Sequence, residues 1–476
     1  MKKLLIFIIF IIILLIGAYF YIQNLGNQKA QSALNTLAEL ALENNTKLSY
    51  KNYKINVFDQ SLTLNNLKFK NTNDDSYITF KSLLINQKNN LISINSKDEI
   101  KFKYNKSLGS IKDLSIVNLN FSNIKDNDIA KSLINLLVDS ININDLEFIE
   151  DTDIKTTIEN ISITNSNKEN IENIKIQFLN ISSNVNNASV NKIIIDGLNK
   201  NFLIDILEIS QERSSFDSLL NEFAKTKKIQ FDNFVYSVEG IEGKIENLTF
   251  IQKGNVFKLA DGLNQQTLKI SNASIPPILF DSIPAEMANF YLPYIDTNQL
   301  EFNTFSDVKM NKEANEYELE VSFGVSNVGE TKLKLLADLN SINLNEFRQQ
   351  INESLEFQDY GNVLDESLNF YTNGKFKKFS YYYKDDQLAG KILDTISGGD
   401  REGMANMASM MYGNIFGNNQ NLNAQLEDAI SNFIINNNEL SVSIEARNDY
   451  FTLNDLIQYY QIGDLDSLVN ISITGN

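Results

Sequence analysis

Residues 48–70, LSYKNYKINVFDQSLTLNNLKFK, contain the pattern that decides the fold. Apolar and polar residues alternate here with a period of two, as they do in β-strands that bury one face. The alternation breaks between Leu64 and Leu67, because apolar residues stand three positions apart on either side of Asn65 and Asn66. The stretch therefore predicts strands with a local irregularity near Asn66.

The same pattern recurs along the first half of the chain: apolar, any residue, Asn or Asp, apolar, any residue, apolar. One extra residue at the Asn or Asp returns the first and fourth positions to one face, as a β-bulge does. Asn and Asp suit that place because they tolerate a left-handed backbone. A plain turn between short strands is the alternative interpretation. The copies are Leu64-Asn66-Leu67-Phe69, Ile116-Asn118-Leu119-Phe121, Ile143-Asp145-Leu146-Phe148, Ile158-Asn160-Ile161-Ile163, Ile171-Asn173-Ile174-Ile176, Phe231-Asn233-Phe234-Tyr236 and Ile245-Asn247-Leu248-Phe250.

Repeated bulges bend strands and increase their twist, so these copies predict a sheet that curls towards a trough. The predicted fold class is mainly β with interspersed helices (α+β). It consists of an N-terminal transmembrane helix followed by an elongated, twisted antiparallel β body.

The transmembrane helix is predicted from Leu4–Ile22, an uncharged run that follows Lys2 and Lys3. At about 1.5 Å per residue this run spans roughly 28 Å, enough for a bilayer core of about 30 Å. A cleaved signal peptide is the alternative, although its apolar region is normally about 7–15 residues long. The paired lysines keep the N-terminus cytoplasmic by the positive-inside rule, so the body is predicted to be exported.

Four segments are predicted from composition and periodicity: an anchor at 1–27, a β-rich half with a stalk helix at 28–275, a connector at 276–298 and an α+β half at 299–476. The connector is placed where all four prolines cluster. The apolar stripe of the stalk helix comprises Leu34, Leu37, Ala38, Ala41 and Leu42. Further helices are expected at 126–139, 214–226 and 343–356, and strands at 299–310, 316–326, 330–339 and 375–384.

Composition excludes several kinds of chemistry. The chain of 476 residues has a net charge of −18, which argues against nucleic-acid binding because phosphate contacts need clustered Lys and Arg. It has no Cys and no His, so disulfides, thiolate nucleophiles, Ser-His-Asp triads and His or Cys metal sites are absent. Chemistry based on carboxylates alone, Ser-Lys pairs, and Mg²⁺ or Ca²⁺ bound by Asp or Glu are left open.

Two carboxylate clusters are the candidates for a metal site: Asp385 with Asp386, and Asp400 with Glu402. Neither has the spacing of an EF-hand loop, and both are predicted to be solvated turn carboxylates. The sequence therefore predicts no catalytic residue, no cofactor and no metal site, and a protein that is not an enzyme.

Met404, Met407, Met410 and Met411 lie along one face of a predicted helix. Such a stripe forms an adaptable binding surface in some proteins and fills core gaps in others. Core filling is the interpretation that we favour from sequence.

Two regions resemble the YdgA-like family of bacterial inner-membrane proteins, which have a periplasmic body of unknown function. In that family's opening, a Tyr-x-x-Tyr strand leads through a Phe-containing turn to a second strand. The matching residues here are Tyr50, Tyr53, Phe58, Ser61 and Leu62. The second region is 426–458, where Leu453-Asn454-Asp455-Leu456 resembles the start of the family's final helix.

A broader likeness is to AsmA-like envelope proteins, which also have an N-terminal anchor and a β-rich periplasmic body. The resemblances imply a single-pass inner-membrane protein with its N-terminus in the cytoplasm and its body in the periplasm. The first hypothesis is a non-enzymatic role in envelope maintenance or assembly, with residues 4–22 in contact with the lipid bilayer. The alternative, implied by the AsmA-like likeness, is a lipid-binding or lipid-transfer module with an apolar β groove.

Overall fold

The stretches that alternate in the sequence form β-strands in the computed structural model. It describes residues 45–476 except 57–58, 89–90, 105, 121–136, 151–153, 168, 201–225, 239–240, 255–262, 275–291, 296–299 and 342–373, together with scattered helical residues between 34 and 42. By their contacts the residues divide into two compact units, 1–244 and 245–476. The described part is mainly β with antiparallel pairing, as the sequence predicts.

The predicted anchor at residues 4–22 lies outside the described residues. Among the described ones, no helix has both the length and the apolar composition that crossing a bilayer requires. The predicted connector at 276–298 and the helices predicted at 214–226 and 343–356 also lie almost wholly outside them. The helix predicted over 126–139 is wrong at its end, because a strand begins at Val138.

The first unit contains strands β1 to β12. In chain order they are Thr46–Ser49, Asn52–Asn56, Ser61–Asn71, Tyr77–Lys88, Leu91–Ser96, Ile100–Tyr104, Ser107–Leu119, Val138–Ile149, Lys155–Ser166, Asn170–Ser182, Asn186–Asn199 and Lys228–Val238. β1 and β2 both pair with β3, and β5 and β6 both lie between β4 and β7. From β7 to β12 each strand pairs antiparallel with the next one along the chain.

A hydrophobic core covers one face of β3–β8 and includes part of the predicted stalk helix. Leu34 and Ala41 are helical and buried in this core, and Ala38 packs against it, as predicted. Leu42, which the sequence also assigned to the apolar stripe, is exposed.

The predicted irregularity at Asn66 is confirmed. Its φ is 50°, and Leu64 and Leu67 on either side are both buried, at 2% and 0% exposure. Asn118, Asp145 and Asn233 also have positive φ. Among the strand pairings that the structure describes, only one of these four positions is a true bulge. Opposite Asn118 the register between β5 and β7 shifts between Ile92 and Ile94.

At Asn66 the register with β4 is unchanged, because the facing strand carries an additional residue of its own. Leu64 pairs with Leu83 and Leu67 pairs with Phe80, and both partners are buried. Two residues therefore separate the buried pair on each strand. The bulge prediction is thus correct about the shared face and wrong about the register here.

The left-handed prediction is wrong at Asn160, Asn173 and Asn247, none of which has a positive φ. In these copies a glutamate precedes the Asn, and the glutamate lies opposite a left-handed residue of a neighbouring strand. Register places Glu159 opposite Asp145, Glu172 opposite Asn165, and Glu246 opposite Asn272. The sequence pattern therefore has two structural forms. In one form the Asn or Asp is itself left-handed, and in the other the preceding Glu lies opposite a left-handed residue of the neighbouring strand.

Across β7–β12 these positions form two irregular rows that run perpendicular to the strands. The first row comprises Asn118, Asp139, Asn165, Glu172 and Gly197, and the second comprises Lys112, Asp145, Glu159, Phe178, Asn191 and Asn233. Positive φ occurs on every second strand of each row. Side chains link the first row, because the Nδ2 amides of Asn118 and Asn165 donate to Asp139 and Glu172. In the second row Lys112 pairs with Asp145 at 2.9 Å.

Phe178 is the unusual member of the second row, with a φ of 50° and 52% exposure. A left-handed conformation costs an ordinary L-residue about 1–2 kcal/mol. Phe178→Gly should therefore stabilise the protein by roughly 1 kcal/mol, measured as an increase in the urea midpoint. The matched control is Gln177→Gly at the adjacent regular strand position, which should destabilise instead. A destabilising Phe178→Gly would show that contacts of the ring outweigh the backbone strain.

The described residues of the second unit form strands β13 to β20 and five α-helices. The strands are Ile241–Lys253, which begins at the end of the first unit, Leu263–Ser274, Glu301–Asn311, Glu316–Val325, Gly329–Asp338, Phe376–Asp385, Glu439–Ala446 and Val469–Gly475. Helices α1 to α5 are Leu388–Ser397, Arg401–Tyr412, Gln420–Asn436, Leu453–Ile462 and Leu465–Leu468. Each strand pairs antiparallel with the next, so the four strands predicted after residue 299 are confirmed.

Three helices of the second unit, α2, α3 and α4, begin at residues whose side chains cap them. α4 starts at Leu453, as predicted, behind a capping box formed by Thr452 and Asp455. α3 packs against β19 and β20, and Gln425 Oε1 accepts a hydrogen bond of 3.1 Å from the Ile473 amide. Among the described strands, β20 pairs only with β19, so backbone groups on its other side could pair with another chain. The bond to Gln425 occupies one of these groups, the Ile473 amide.

Candidate functional site

The most extensive candidate site is an aliphatic face on β7–β12. Residues in register on neighbouring strands share a face, so three rows of six positions can be traced across the sheet. Every position in them is Ile, Leu, Val or Phe. The rows are Ile116, Ile141, Ile163, Ile174, Ile195 and Ile229; Leu114, Ile143, Ile161, Ile176, Ile193 and Phe231; and Ile111, Leu146, Ile158, Leu179, Val190 and Phe234.

The irregular rows make this face continuous. Ile111 and Leu114 are three positions apart, and both are buried in the first core. Strict alternation would have put them on opposite faces of the sheet. The irregular positions Lys112 and Asp145, paired across β7 and β8, keep the aliphatic residues on one side.

Burial changes along the aliphatic face. The three row residues on β7 are buried in the core, whereas those on β9 and β10 are only half-buried. The opposite face is mostly polar: the row between the first two aliphatic rows is Ser115, Asn142, Ser162, Lys175, Ile194 and Gln230. The sheet is therefore amphipathic, with a partly accessible apolar side.

The prediction that Asp385 is a solvated turn carboxylate is wrong, because Asp385 is only 8% exposed and has a structural role. This buried carboxylate accepts hydrogen bonds from the backbone amides of Ala389 (2.8 Å) and Gly390 (3.2 Å) in the first turn of α1. The Tyr383 hydroxyl (3.1 Å) and the Asn437 amide also donate to it. Burial and the neighbouring Asp385 charge raise the pKa of Tyr383 above its ordinary value.

The other predicted carboxylates are also parts of turns and caps. Asp386 accepts a bond of 2.8 Å from the Asn327 amide, and Asp400 caps α2 by accepting from Gly403 at 2.8 Å. Glu402 is exposed in the first turn of α2. Among the described residues no three His, Cys, Asp or Glu side chains are arranged to hold a metal ion.

Sequence reasoning missed a polar cluster around Asp307 on β15. Its carboxylate accepts hydrogen bonds from Gln265 (2.9 Å) and Thr267 (2.6 Å) on β14, and Lys309 lies 3.3 Å away. Burial opposes ionisation of Asp307, but these hydrogen bonds and the lysine charge outweigh it and lower its pKa. Since the three partners come from two strands, no sequence motif marks the cluster.

Acid should weaken the second unit through this cluster. The lowered pKa of Asp307 contributes stability that is present above the carboxyl's unfolded pKa of about 4 and is lost as the pH falls through the folded pKa. Asp307→Asn should therefore reduce the fall in urea midpoint between neutral pH and pH 3. The control is Glu313→Gln on an exposed turn. An unchanged pH dependence in Asp307→Asn would contradict this role.

The methionine stripe is not core filling. Met407, Met410 and Met411 are 65%, 83% and 69% exposed, and only Met404 is half-buried. The interpretation favoured from sequence is therefore wrong for these three residues. The sequence gives no signal for this exposure, because residues 404–426 contain no charged residue and an uncharged stretch is typical of buried positions.

Comparison with known proteins finds that part of the chain is similar to one family, and it assigns no role. A family model described as "Uncharacterized protein" matches residues 314–476, which lie within the second unit. No curated protein matches the chain. The resemblance to YdgA-like and AsmA-like proteins stays a prediction.

Proposed function

We propose that this chain is a non-enzymatic protein of the bacterial envelope that acts by binding. Residues 4–22 would anchor it in the inner membrane, and the body would work in the periplasm in envelope maintenance or assembly. The observation that carries the proposal is the aliphatic face, an extended apolar surface that is more accessible on β9 and β10 than a closed core allows. The candidate carboxylates support it, since Asp385, Asp386 and Asp400 already bond to backbone amides of their own fold.

The location is tested by protease added to spheroplasts that contain the full-length protein. A periplasmic body predicts digestion of everything except a short N-terminal fragment. The control is a cytoplasmic marker protein, which must stay intact. A body that survives in intact spheroplasts and is digested after lysis would overturn the proposed orientation.

Lipid binding is the second candidate function, and the three aliphatic rows favour it specifically. At about 4.8 Å between strands, the rows extend for about 24 Å from β7 to β12. One leaflet of a bilayer core is roughly 15 Å thick, so an acyl chain would fit along this face. The polar opposite face would remain in water.

Mass spectrometry of lipids that co-purify with the detergent-extracted protein tests this candidate. Ile176→Asn on the aliphatic face should lower the bound lipid per protein several-fold, whereas Lys175→Gln on the opposite face should not change it. Urea melts identify any variant that is merely unfolded. Equal lipid content in all three proteins would reject lipid binding at this face and leave the envelope location untouched.

A further inference from the structure

A second apolar surface lies on the helices of the second unit. It has no part in the functions proposed above. Met407, Met410 and Met411 are spaced three and four residues apart, so they project from one side of α2. The exposed Tyr412 and Ile415 follow them directly. A cluster of large exposed apolar side chains on one element marks an interaction site in soluble proteins.

α4 extends this surface. The Tyr460 hydroxyl donates a hydrogen bond of 2.8 Å to the carbonyl of Ile415, which joins α4 to the segment after α2. Ile457 and Tyr460 are both 49% exposed on α4. We call Met407, Met410, Met411, Tyr412, Ile415, Ile457 and Tyr460 together the methionine surface.

The position of α2 is fixed by contacts within the unit. Asp400 caps its start, and the Ser409 and Ser431 hydroxyls bond α2 to α3 at 2.8 Å. Arg401 donates to the Gly390 carbonyl at 3.0 Å and pairs with Asp394. The methionines are therefore exposed on a helix that these bonds hold in place.

The charges around the methionine surface are mostly acidic. Residues 404–426 contain no charged side chain, yet the segment 388–468 has eleven Asp and Glu against three Lys and Arg. Glu427 lies beside the end of α2, with its carboxylate 3.8 Å from where a side chain on Gly413 would begin. Asp466 accepts a hydrogen bond of 2.9 Å from Asn419 in the segment that leads into α3. We call these two carboxylates, Glu427 and Asp466, the acidic rim of the methionine surface.

From this combination we infer that the methionine surface binds a basic amphipathic helix of another protein. Methionine adapts its shape to a partner, and interface cores are rich in Met and aromatic residues and poor in charge. The acidic rim attracts Lys and Arg at the edges of such a helix. It disfavours a second copy of this chain, whose own rim is acidic, and it disfavours an anionic lipid surface for the same reason.

The natural absence of tryptophan makes a direct test possible. Met410→Trp in the full-length protein, held in nanodiscs of zwitterionic lipid, places one fluorescent reporter on the methionine surface. The probe is a synthetic 18-residue helix of Leu and Lys without aromatic residues. It should produce a saturable blue shift of the Trp emission. The matched helix of Leu and Glu should produce none.

Two controls separate the methionine surface from unspecific effects. Val185→Trp, on the exposed turn between β10 and β11, should not respond to either peptide. Adding Glu427→Gln and Asp466→Asn to Met410→Trp should weaken binding of the Leu/Lys helix about fivefold, as should raised salt. Thermal melts check that each variant is folded.

Three outcomes would overturn the inference: no shift at position 410, an equal shift with the Leu/Glu helix, or an equal response at position 185. A reporter at 410 that is already blue-shifted without peptide and becomes exposed on dilution would show that a second copy occupies the surface. Each of these results leaves the proposed envelope location and lipid binding unaffected.

Discussion

Deleting Asn118 should abolish the native fold of the first unit. Ile116 and Leu119 are 5% and 1% exposed, and they share the core face because Asn118 is an extra residue relative to β5. Its removal moves one of them, and every row residue beyond it on β7, to the polar face. Losing two buried aliphatic side chains costs about 2–5 kcal/mol each, which approaches a typical total stability of about 5–15 kcal/mol.

Circular dichroism and urea unfolding of the full-length protein measure this effect. Asn118→Gly is the matched control, since glycine keeps the left-handed backbone and gives up mainly the hydrogen bond to Asp139. It should stay within about 1 kcal/mol of the wild type. Asn118→Val should cost about 1–2 kcal/mol through backbone strain. A deletion variant as stable as the wild type would show that Asn118 does not set the register.

Replacing Asp385 by Ala should destabilise the second unit by about 3–4 kcal/mol. The change leaves the Ala389 and Gly390 amides and the Tyr383 hydroxyl without their acceptor, in a partly or fully buried place. Buried donors that lose a charged partner carry the full desolvation penalty, although such penalties do not simply add. The expected result is a lower urea midpoint with an unchanged slope.

Asp386→Ala is the matched control for Asp385→Ala. Asp386 is the exposed neighbour, and it accepts a hydrogen bond from the Asn327 backbone amide. Without Asp386 this amide can donate to water instead, so a loss of about 1 kcal/mol or less is expected. If the two variants lose equal stability, Asp385 does not organise the start of α1. The metal-site hypothesis would be reopened only by a variant that keeps its stability and loses binding of a divalent cation.

The two candidate binding functions use different apolar surfaces of the protein. The aliphatic face belongs to the sheet of the first unit and has a mostly polar reverse side. The methionine surface belongs to α2 and α4 of the second unit and has an acidic rim. Acyl chains suit the first because it is long and aliphatic, and a basic helix suits the second because its edge is charged.

The sequence by itself determined the strands, the breaks in their alternation and the start of α4. Period-two alternation is local, so stretches such as 61–70 and 316–325 reveal strands without knowledge of their partners. The spacing of Leu64 and Leu67 likewise reveals a shared face, because only an additional residue places both in one core. The start of α4 is predicted from the resemblance of Leu453-Asn454-Asp455-Leu456, and the capping box of Thr452 and Asp455 gives it a local physical cause.

Only the tertiary structure decided which irregular residues are left-handed and which surfaces are exposed. Asn66 and Asn160 occupy equivalent places in the sequence pattern, yet only Asn66 has a positive φ, because the facing strand already carries the left-handed residue opposite Glu159. The side chains around Asp307 are likewise brought together by register between β14 and β15. Met410 is exposed because no described residue of its unit packs over that side of α2. Conformation and burial at these places depend on the neighbouring element, and a strand or helix does not encode its neighbour.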